Sequence, residues 1–365
     1  MLNRSTIAIV YLSYHSEPYL NDLVSSLKST TYPKGCLELV IVDNPHPEYG
    51  SSADYIRNFI LPLSGQELPH VTYLPQEKNL GFSGGNNVGI KWALDNGFDY
   101  IFLHNDDGFL ATDALEPLVE AMETDQKIGA AQSMLVMYPE SDLYNSTGNS
   151  FHYLGFGFCD NLRVKRQSLA LPPIQDIAYG SGAAILLRVD LLKKFGLWDE
   201  DFFMYHEDLE YSLRLKAVGY RIVSVAKSIF YHKYSFSRNE EKFYYLERNR
   251  FGVLLMFYKW PTLVLLFPIG FILELGMIIF AWQKGWLKQK MEVYKYWLKG
   301  NNIKKWLMKR KNIQALRVVN DWTLLEDAVG QVNFNDGAVA SPLLKYIGNP
   351  LMAGYWWVAK RLIFW

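Results

Sequence analysis

Apolar and polar residues alternate along the first hundred residues in blocks that predict strands and helices in turn. A continuous apolar run, IAIVYL, lies between Thr6 and Ser13, as in a strand that is covered on both faces. Between Glu17 and Ser29 the apolar residues recur at helical spacing. The alternation continues with strands predicted over 37–44, 71–76 and 99–106 and helices over 52–61 and 84–96. Strands that alternate with helices indicate an α/β protein with a parallel, doubly wound sheet.

The pattern becomes mixed after Leu110. It predicts a helix over 114–124, a loop-rich stretch as far as Gly157, a strand at AAILLR and an amphipathic helix over 207–218. We find no internal repeat and no low-complexity tract.

The composition changes sharply after Arg250. The segment 262–282 is an apolar run with one charge, Glu274, and it approaches the ~20 residues that span a bilayer. Ten basic residues between Lys284 and Lys311 then face a single acid and are interleaved with Trp and Tyr, which is typical of helices at an anionic membrane surface. A buried core helix followed by a solvated basic face is the alternative. Basic residues on both flanks and Pro268 within the run favour an in-plane, monotopic arrangement over a crossing.

Length and charge narrow the class of protein. The chain has 365 residues, enough for two or three domains, and its 37 basic residues balance 37 acidic ones, which argues against a nucleic-acid binder. Two cysteines are too few for a disulfide framework and suggest a reducing compartment. The N-terminus lacks the order of segments that marks a signal peptide.

Polar side chains cluster where predicted strands end. Asp43 follows one strand, and His104, Asn105, Asp106 and Asp107 follow another. In doubly wound sheets ligands bind beyond the carboxyl ends of the strands. Two adjacent carboxylates suit a hard divalent cation that shares oxygen ligands with a diphosphate. Ordinary turn and helix-cap roles are the alternative.

Two further segments carry candidate chemistry. EKNLGFSGGNNVGI (77–90) is glycine-rich at a helix start, although it fits neither the Walker pattern nor GxGxxG, so a diphosphate contact and a simple glycine-rich turn stay equally open. In FFMYHEDLE, Glu207 and Asp208 follow an aromatic run, which suggests a carboxylate of raised basicity that takes a proton from an attacking hydroxyl. Acids favoured by the helix dipole are the alternative.

Together these motifs resemble family 2 glycosyltransferases of the GT-A fold, in the branch of rhamnosyl- and galactofuranosyltransferases. The resemblance covers about residues 6–250, and its most distinctive parts are NLGFSGGNN and FFMYHEDLEYSLRLKAVGYRI. It implies a Rossmann-like, mixed and mainly parallel sheet flanked by helices. The catalytic domain would comprise residues 1–250, and residues 251–365 would form a helical, membrane-associating region.

The resemblance also implies roles for individual residues. Asp208 would be the catalytic base, beside Glu207. The metal-binding DXD motif maps onto His104-Asn105-Asp106, with histidine in place of the first acid, and the metal would be held by Asp106, Asp107 and His232. The nucleotide-sugar site would comprise Asp43, Asn79, Gly81, Gly85, Asn86 and Asn105. The acceptor side would comprise Gly180, Ser181 and Gly182.

The activity implied is inverting, Mg²⁺- or Mn²⁺-dependent transfer of a sugar from a UDP-, dTDP- or GDP-sugar. The acceptor would be a hydroxyl of a lipid-linked saccharide in cell-surface polysaccharide synthesis, at the cytoplasmic face of the membrane. Two alternatives stay open. A non-catalytic scaffold is compatible with His104 in the DXD motif, and a sugar-phosphate nucleotidyltransferase would need a glycine- and Arg/Lys-rich loop after the first strand, which LSYHSEPYL lacks.

Overall fold

A computed structural model describes residues 4–234, 241–332 and 342–365. The chain divides into two compact units. Unit 1 comprises Met1–Asn149, Cys159–Phe203 and Tyr220–Phe236, and unit 2 comprises Ser150–Phe158, Met204–Gly219 and Ser237–Trp365. The functional boundary at residue 250 stays a prediction.

Unit 1 contains one large sheet with short helices around it. Its strands are β1 (Ile7–Ser13), β2 (Leu37–Asp43), β3 (His70–Pro75), β4 (Tyr100–His104), β5 (Gly108–Leu110), β6 (Ile128–Met137), β7 (Tyr144–Ser146), β10 (Ile174–Asp176), β11 (Ala184–Arg188) and β12 (Arg221–His232). Its helices are α1 (Glu17–Ser29), α2 (Ala53–Tyr55, continued by irregular turns to Leu63), α3 (Gly81–Asp95), α4 (Leu115–Thr124) and α5 (Val189–Phe195). A separate two-stranded sheet, β8 (Asn149–Phe151) with β9 (Gly157–Cys159), lies where the chain leaves unit 1 and returns.

The main sheet has the strand order β10-β12-β6-β11-β4-β1-β2-β3, with β5 paired to β12 and β7 to β6. The run β4-β1-β2-β3 is parallel, as is the pair β6-β12, whereas β11 is antiparallel to both of its neighbours. The predicted mixed, mainly parallel sheet flanked by helices is therefore confirmed. Every residue of β1, β2 and β4 is buried, which explains why these strands read as continuous apolar runs.

The predicted loop-rich stretch before Gly157 is wrong over residues 128–137. This segment, IGAAQSMLVM, is the ten-residue strand β6, and all of its residues are buried between β11 and β12. Its Gly, Ala and Ser residues have low strand propensity, but close packing inside the sheet outweighs that local preference. Helix α3 also begins at Gly81, three residues before the predicted start.

Unit 2 is helical. Its helices are α6 (Glu207–Ala217), α7 (Glu241–Phe257), α8 (Trp260–Lys284), α9 (Leu287–Leu298), α10 (Gly300–Leu316), α11 (Asp321–Leu324) and α12 (Asn349–Leu362). Its core includes Trp306, which packs on Gly252 of α7 so closely that a Cβ there would lie 2.4 Å from the indole. Trp286 is also buried and stacks on Phe243 with ring centroids 4.8 Å apart. The expectation that the tryptophans of segment 284–311 face headgroups is therefore wrong for these two, because they fill the protein core.

A cluster of buried charges joins α7, α8 and α9 within unit 2. Lys290 is fully buried and donates to Glu247 and, at 2.7 Å, to Glu274. Arg250 donates to Glu247 at 3.0 Å and forms a second ion pair with Glu274. The charge that interrupts the apolar run is thus neutralised by two cations, which offsets the desolvation cost of burying it.

Candidate active site

The carboxyl ends of β1, β2 and β4 bring two predicted site residues together in unit 1. Ser13 at the end of β1 is in register with Asp43 at the end of β2, and the amide of Asn44 donates to the Ser13 carbonyl at 2.8 Å. Beyond β4, on the other side of β1, the carboxylate of Asp106 accepts a 3.3 Å hydrogen bond from the Tyr14 amide. Asp43 and Asp106 therefore flank the end of one strand, as the sequence predicts.

The carboxylate of Asp43 is held by three donors. It accepts from the hydroxyl of Ser51, from the hydroxyl of Tyr73 at 2.7 Å and from the amide of Ser52 at 3.3 Å. Burial, followed by the hydrogen bond to Asp43, raises the pKa of Tyr73 to about 12, so the phenol stays protonated and donates. The carboxylate is thereby fixed at the sheet edge, and its role in binding a nucleotide base stays a prediction.

The glycines of the NLGFSGGNN segment allow close packing inside unit 1. Gly81 has φ +71°, and a Cβ there would lie 2.5 Å from the carbonyl oxygen of Phe203. A Cβ on Gly85 would lie 2.4 Å from the side chain of Leu12 in β1. Both positions therefore require glycine for contact with protein groups. These contacts favour the turn-and-packing interpretation of the segment, and its contact with a diphosphate stays a prediction.

Asparagine side chains hold the start of α3. Asn44 accepts from the Leu80 amide at 2.8 Å and donates to Asn79 at 3.0 Å, and Asn79 accepts from the amide of Gly81 at 2.8 Å. Asn86 donates to the carbonyl of Phe82 in its own helix at 2.9 Å. Of the predicted nucleotide-site residues, Asn79 and Gly81 thus share one hydrogen-bonded corner with Asn44 at the end of β2, whereas Asn86 bonds within α3.

The first amides of α3 are also occupied. The carbonyl of Phe203 accepts from the amides of Phe82 at 2.7 Å and Ser83 at 3.1 Å. A helix start that would otherwise attract an anion is therefore capped by the protein itself.

His104, which stands in the first position of the DXD motif, is a buried aromatic residue. Its ring lies 5.4 Å from that of Tyr11 and 4.9 Å from that of Phe230, and its Nδ1 hydrogen-bonds to the Asn105 carbonyl at 2.8 Å. Burial lowers its pKa to about 4, so the ring is neutral at physiological pH.

The following residues form a polar cluster at the carboxyl end of β4. The carboxylate of Asp107 lies 2.9 Å from Nε2 of His232 and accepts from the side chain of Asn105 at 2.7 Å. The antiparallel pairing of β5 with β12 sets His232 opposite Gly108 and so creates this contact. The other ring nitrogen of His232 is held at 2.9 Å by the side-chain oxygen of Asn145. The structure thus brings together Asp107 and His232, whose role as metal ligands stays a prediction, and it adds Asn145, which the sequence analysis did not identify.

The two carboxylates of this cluster have opposite pKa shifts. Burial and then the charge of Asp107 raise the pKa of Asp106 to about 8. Burial alone would also raise the pKa of Asp107, but the charge and hydrogen bond of His232 outweigh it and lower that pKa. Asp106 is therefore the carboxyl group of this pair whose pKa is raised.

These residues fit a divalent cation by their chemistry. A cation beside Asp106 would offset the burial and the charge of Asp107 that raise its pKa, and carboxylate oxygens are the ligands that Mg²⁺ and Mn²⁺ prefer. A histidine whose second nitrogen is held by Asn145 is likewise oriented in the way that metal ligands usually are. In the part of the chain that the structure describes, however, no three His, Cys, Asp or Glu side chains already form a metal-binding group.

The predicted acceptor segment lies in unit 1 before β11. The amide of Ser181 donates to the buried Gln132 of β6 at 2.7 Å. A Cβ on Gly180 would lie 2.5 Å from Ile185, and one on Gly182 would lie 2.7 Å from Trp198. Small residues are therefore required here by packing, and their contact with an acceptor stays a prediction.

Glu207 and Asp208 begin helix α6 of unit 2. Glu207 is buried, its Oε2 has no hydrogen-bond partner in the described residues, and burial followed by the charge of Asp208 raises its pKa well above the ordinary value. Asp208 is partly exposed, and its carboxylate accepts from the Leu209 amide at 2.7 Å. The raised basicity that the aromatic run suggested thus belongs to Glu207, whereas Asp208 is the carboxylate that solvent reaches.

Comparison with known proteins first defines the fold. The crystal structure of GalNAc-T7 with UDP, GalNAc and Mn²⁺ aligns with a TM-score of 0.53 at 13% identity, over 71% of this chain and 49% of that chain. The chain thus spans about half the length of that protein and shares its GT-A fold, as predicted.

The family follows from the sequence. The model of Glycosyl transferase family 2 matches residues 7–196, and this chain belongs to that family. The predicted family and the predicted class of enzyme, a glycosyltransferase, are therefore confirmed.

Two curated relatives are similar over most of their length. The low-salt glycan biosynthesis hexosyltransferase Agl10 of Haloferax volcanii is 25% identical over 252 residues, which cover 67% of this chain and 74% of the relative. The N-acetylglucosaminyl-diphospho-decaprenol L-rhamnosyltransferase of Mycobacterium tuberculosis is 24% identical over 246 residues, which cover 62% of this chain and 76% of the relative.

Proposed function

We propose that this glycosyltransferase moves a sugar from a nucleoside-diphosphate sugar to a hydroxyl of a lipid-linked saccharide, with inversion at the anomeric carbon. The observation that carries the proposal is the cluster at the carboxyl end of β4. There Asp107 contacts His232 at 2.9 Å, and the neighbouring Asp106 accepts a hydrogen bond from the Tyr14 amide at 3.3 Å. A divalent cation and a diphosphate favour each other's binding because their charges are opposite. The cluster also lies at the sheet edge where such folds bind nucleotides.

The donor side of the proposed site comprises Asp43, Asn79, Gly81, Gly85, Asn86 and Asn105. Asp43 accepts hydrogen bonds from the nucleoside, and the rigid corner around Asn79 shapes the pocket for it. Asp106, Asp107 and His232 hold Mg²⁺ or Mn²⁺, which when bound supplies positive charge to the diphosphate that leaves.

Asp208 is the proposed base. It takes the proton of the acceptor hydroxyl as that oxygen bonds to the anomeric carbon and the bond from this carbon to the diphosphate oxygen breaks. A single displacement of this kind inverts the anomeric centre. The solvent access of Asp208 supports this choice over Glu207, which is buried and whose pKa is raised by burial and by the charge of Asp208. Gly180, Ser181 and Gly182 lie on the acceptor side.

A lipid-linked acceptor is supported by the mycobacterial relative, whose name includes a decaprenol-linked saccharide, N-acetylglucosaminyl-diphospho-decaprenol. It is also supported by α8, the helix of the described residues that is long and apolar enough to cross a membrane. Trp260 and Trp282 near its two ends are 56% and 69% exposed, as in aromatic belts at an interface. Glu274 ties the helix to α7 and α9 through Arg250 and Lys290, which supports an arrangement in the plane of the cytoplasmic leaflet.

The test uses the purified full chain and a panel of UDP-, dTDP- and GDP-sugars, with and without Mn²⁺. Donor binding and transfer are measured with polyprenyl-diphosphate N-acetylglucosamine in anionic vesicles. We expect Asp208→Asn to lower the transfer rate by about 10³-fold while donor binding is retained, and Asp106→Ala to weaken Mn²⁺-dependent donor binding.

The matched control is Asp190→Asn, which removes an exposed first-turn carboxylate from α5 and should leave transfer unchanged. Full transfer by the Asp208→Asn variant would contradict the assignment of Asp208 as the catalytic base. Absence of binding to every donor would favour the non-catalytic scaffold. If the protein stays in the supernatant when the vesicles are sedimented at low salt, the proposed binding to a membrane surface is contradicted.

A further inference from the structure

The turn that precedes α6 in unit 2 has an unusual backbone. Tyr205 and His206 have φ values of 65° and 68°, in the left-handed region that residues other than glycine rarely adopt. His206 is also the N-terminal cap of α6, and the next two residues are Glu207 and Asp208. A backbone of this kind persists only where its surroundings hold it.

Asn249 of α7 holds this turn. Its side-chain nitrogen donates to the carbonyl of Met204 at 2.9 Å and to that of Tyr205 at 2.7 Å, and the residue is fully buried. One amide group thus binds two successive carbonyls of the left-handed turn. Aspartate, the nearest residue in shape, has no hydrogen to donate to either carbonyl.

Arg248 fixes which way the Asn249 amide points. Its Nε and Nη2 donate to the Asn249 oxygen at 2.9 and 2.7 Å. A guanidinium group can only donate, so the oxygen of the amide must face Arg248 and its nitrogen must face the turn. The guanidinium lies 5.1 Å from the ring centroid of Tyr245 and 5.4 Å from that of Tyr296, which restricts its own position.

The other end of the turn is held independently. Nε2 of His206 lies 2.9 Å from the carbonyl of Gly155, and because a carbonyl only accepts, this nitrogen carries the proton. The carbonyl of His206 accepts the first hydrogen bond of α6, from the amide of Glu210 at 2.8 Å. The direction in which α6 starts is therefore set by the turn and by the groups that bind it.

We propose that Asn249 is a positioning residue for the reaction: it locks the turn 204–206 and thereby sets the direction of the Asp208 carboxylate. This inference rests on the proposed function of Asp208. A base must be held within a fraction of an ångström of its proton, and a displacement of about 1 Å can lower a rate about 10²-fold. The donor-binding residues are in unit 1, so loss of the lock changes kcat and leaves the KM for the donor nearly unchanged.

The central variant is Asn249→Asp in the full chain. The new carboxylate still accepts from Arg248 but faces the two carbonyls without a hydrogen to donate. We expect kcat to fall about 10- to 100-fold. The KM for the nucleotide sugar should change less than about 3-fold, because no donor-binding residue is altered. We also expect faster amide hydrogen exchange over residues 204–210, a readout that requires no substrate.

The matched control is Asn302→Asp in α10, where the side chain donates to the carbonyl of Tyr296 at 2.8 Å. It makes the same chemical change in the same unit, and neither kcat nor exchange over 204–210 should respond. Asn249→Gln keeps the donor on a longer side chain and should recover part of kcat. It also serves if Asn249→Asp does not fold.

A double-mutant cycle tests whether Asn249 acts through Asp208. We expect Asn249→Asp to have no further effect on the residual rate of Asp208→Asn. Additive losses, unchanged kcat or unchanged exchange in Asn249→Asp would each overturn the positioning role. If Asp208→Asn abolishes transfer while Asn249→Asp is fully active, the inference fails alone. If Asp208→Asn keeps full transfer, the proposed base itself fails.

Discussion

The two units stabilise their interiors in opposite ways. In unit 1 the core is mainly a sheet of apolar strands, and the candidate acids Asp43 and Asp106 lie where strands end. In unit 2 charged groups are part of the interior: Glu247, Arg250 and Lys290 are buried together. The candidate acids of unit 1 thus lie at the edge of its sheet, whereas the buried charges Glu247, Arg250 and Lys290 of unit 2 join helices.

The same contrast applies to the acids that we assign to chemistry. The unit 1 acids follow strands whose position is set by the sheet register, so neighbouring strand ends suffice to bring them together. The Asp208 carboxylate of unit 2 instead follows a left-handed turn, and we propose that its direction is set by Asn249, which donates to two carbonyls of that turn. A site built on strand ends needs few supports, and a site built on a strained turn needs several.

The largest effect on stability that this comparison predicts concerns the charge cluster. Lys290→Met should leave Glu247 and Glu274 with Arg250 alone and lower the free energy of unfolding by about 3–5 kcal/mol, because a buried charge loses its partner. Urea unfolding of the full chain measures it. Lys288→Met, at an exposed position of the same helix, is the control and should change little. Equal stability of both variants would contradict a structural role for the cluster.

A smaller effect is expected from pH. His152 of unit 2 is fully buried, and burial lowers its pKa from 6.5 to about 3. The unfolded chain binds a proton at this residue below pH 6.5 and the folded chain does not, so stability is lost as pH falls from about 6.5 towards 3.

Between pH 7 and pH 5 this single group should lower the free energy of unfolding by about 2 kcal/mol. His152→Asn removes the titration and keeps an acceptor for the amide of Leu154, which the histidine binds at 3.1 Å. The dependence of stability on pH should therefore be shallower in the variant. Identical dependence of stability on pH in both proteins would show that the pKa of His152 is the same in the folded and unfolded chain.

The smallest effect tests the packing role of the glycines in unit 1. In Gly89→Ala the new Cβ would lie 2.5 Å from Val10 of β1. Overpacking costs about 1–3 kcal/mol, and the higher helix propensity of alanine offsets about 1 kcal/mol, so we expect a net loss of about 1 kcal/mol. Gly276→Ala in α8, where nothing lies within 4 Å, should not destabilise. A Gly89→Ala variant that is more stable than the parent would show that packing does not require glycine at this position, and would leave ligand binding as the reason for it.

Much of unit 1 could be predicted from the sequence because its information is local. Helix α1 begins at the predicted residue, and the acids at the ends of β2 and β4 were found from the strand pattern alone. The family resemblance joined His232 to Asp107, which no local pattern indicates. Strand β6 was missed because its Gly-, Ala- and Ser-rich sequence gives a strand no local signal, and only its neighbours in the sheet stabilise it.

The supports of the site could not be predicted, because each is a contact between distant segments. Asn145 beside His232 and Asn249 behind the turn 204–206 are single polar residues in otherwise ordinary surroundings. The tryptophans of segment 284–311 misled the prediction for a related reason. Composition does not distinguish a Trp that faces lipid from one that, like Trp306, packs on the glycine of a neighbouring helix.

The antiparallel strand β11 in the middle of the sheet has a consequence for biosynthesis. A nascent chain that has left the ribosome only as far as Met137 contains both β4 and β6, but the strand that joins them, Ala184–Arg188, has not yet been translated. Until it arrives, two apolar strand edges lack their partner, and such edges pair readily with other chains. The main sheet of this enzyme therefore cannot form completely until β11 has been translated. A chaperone that binds unfolded chains would act after β6 and before β11 has left the ribosome.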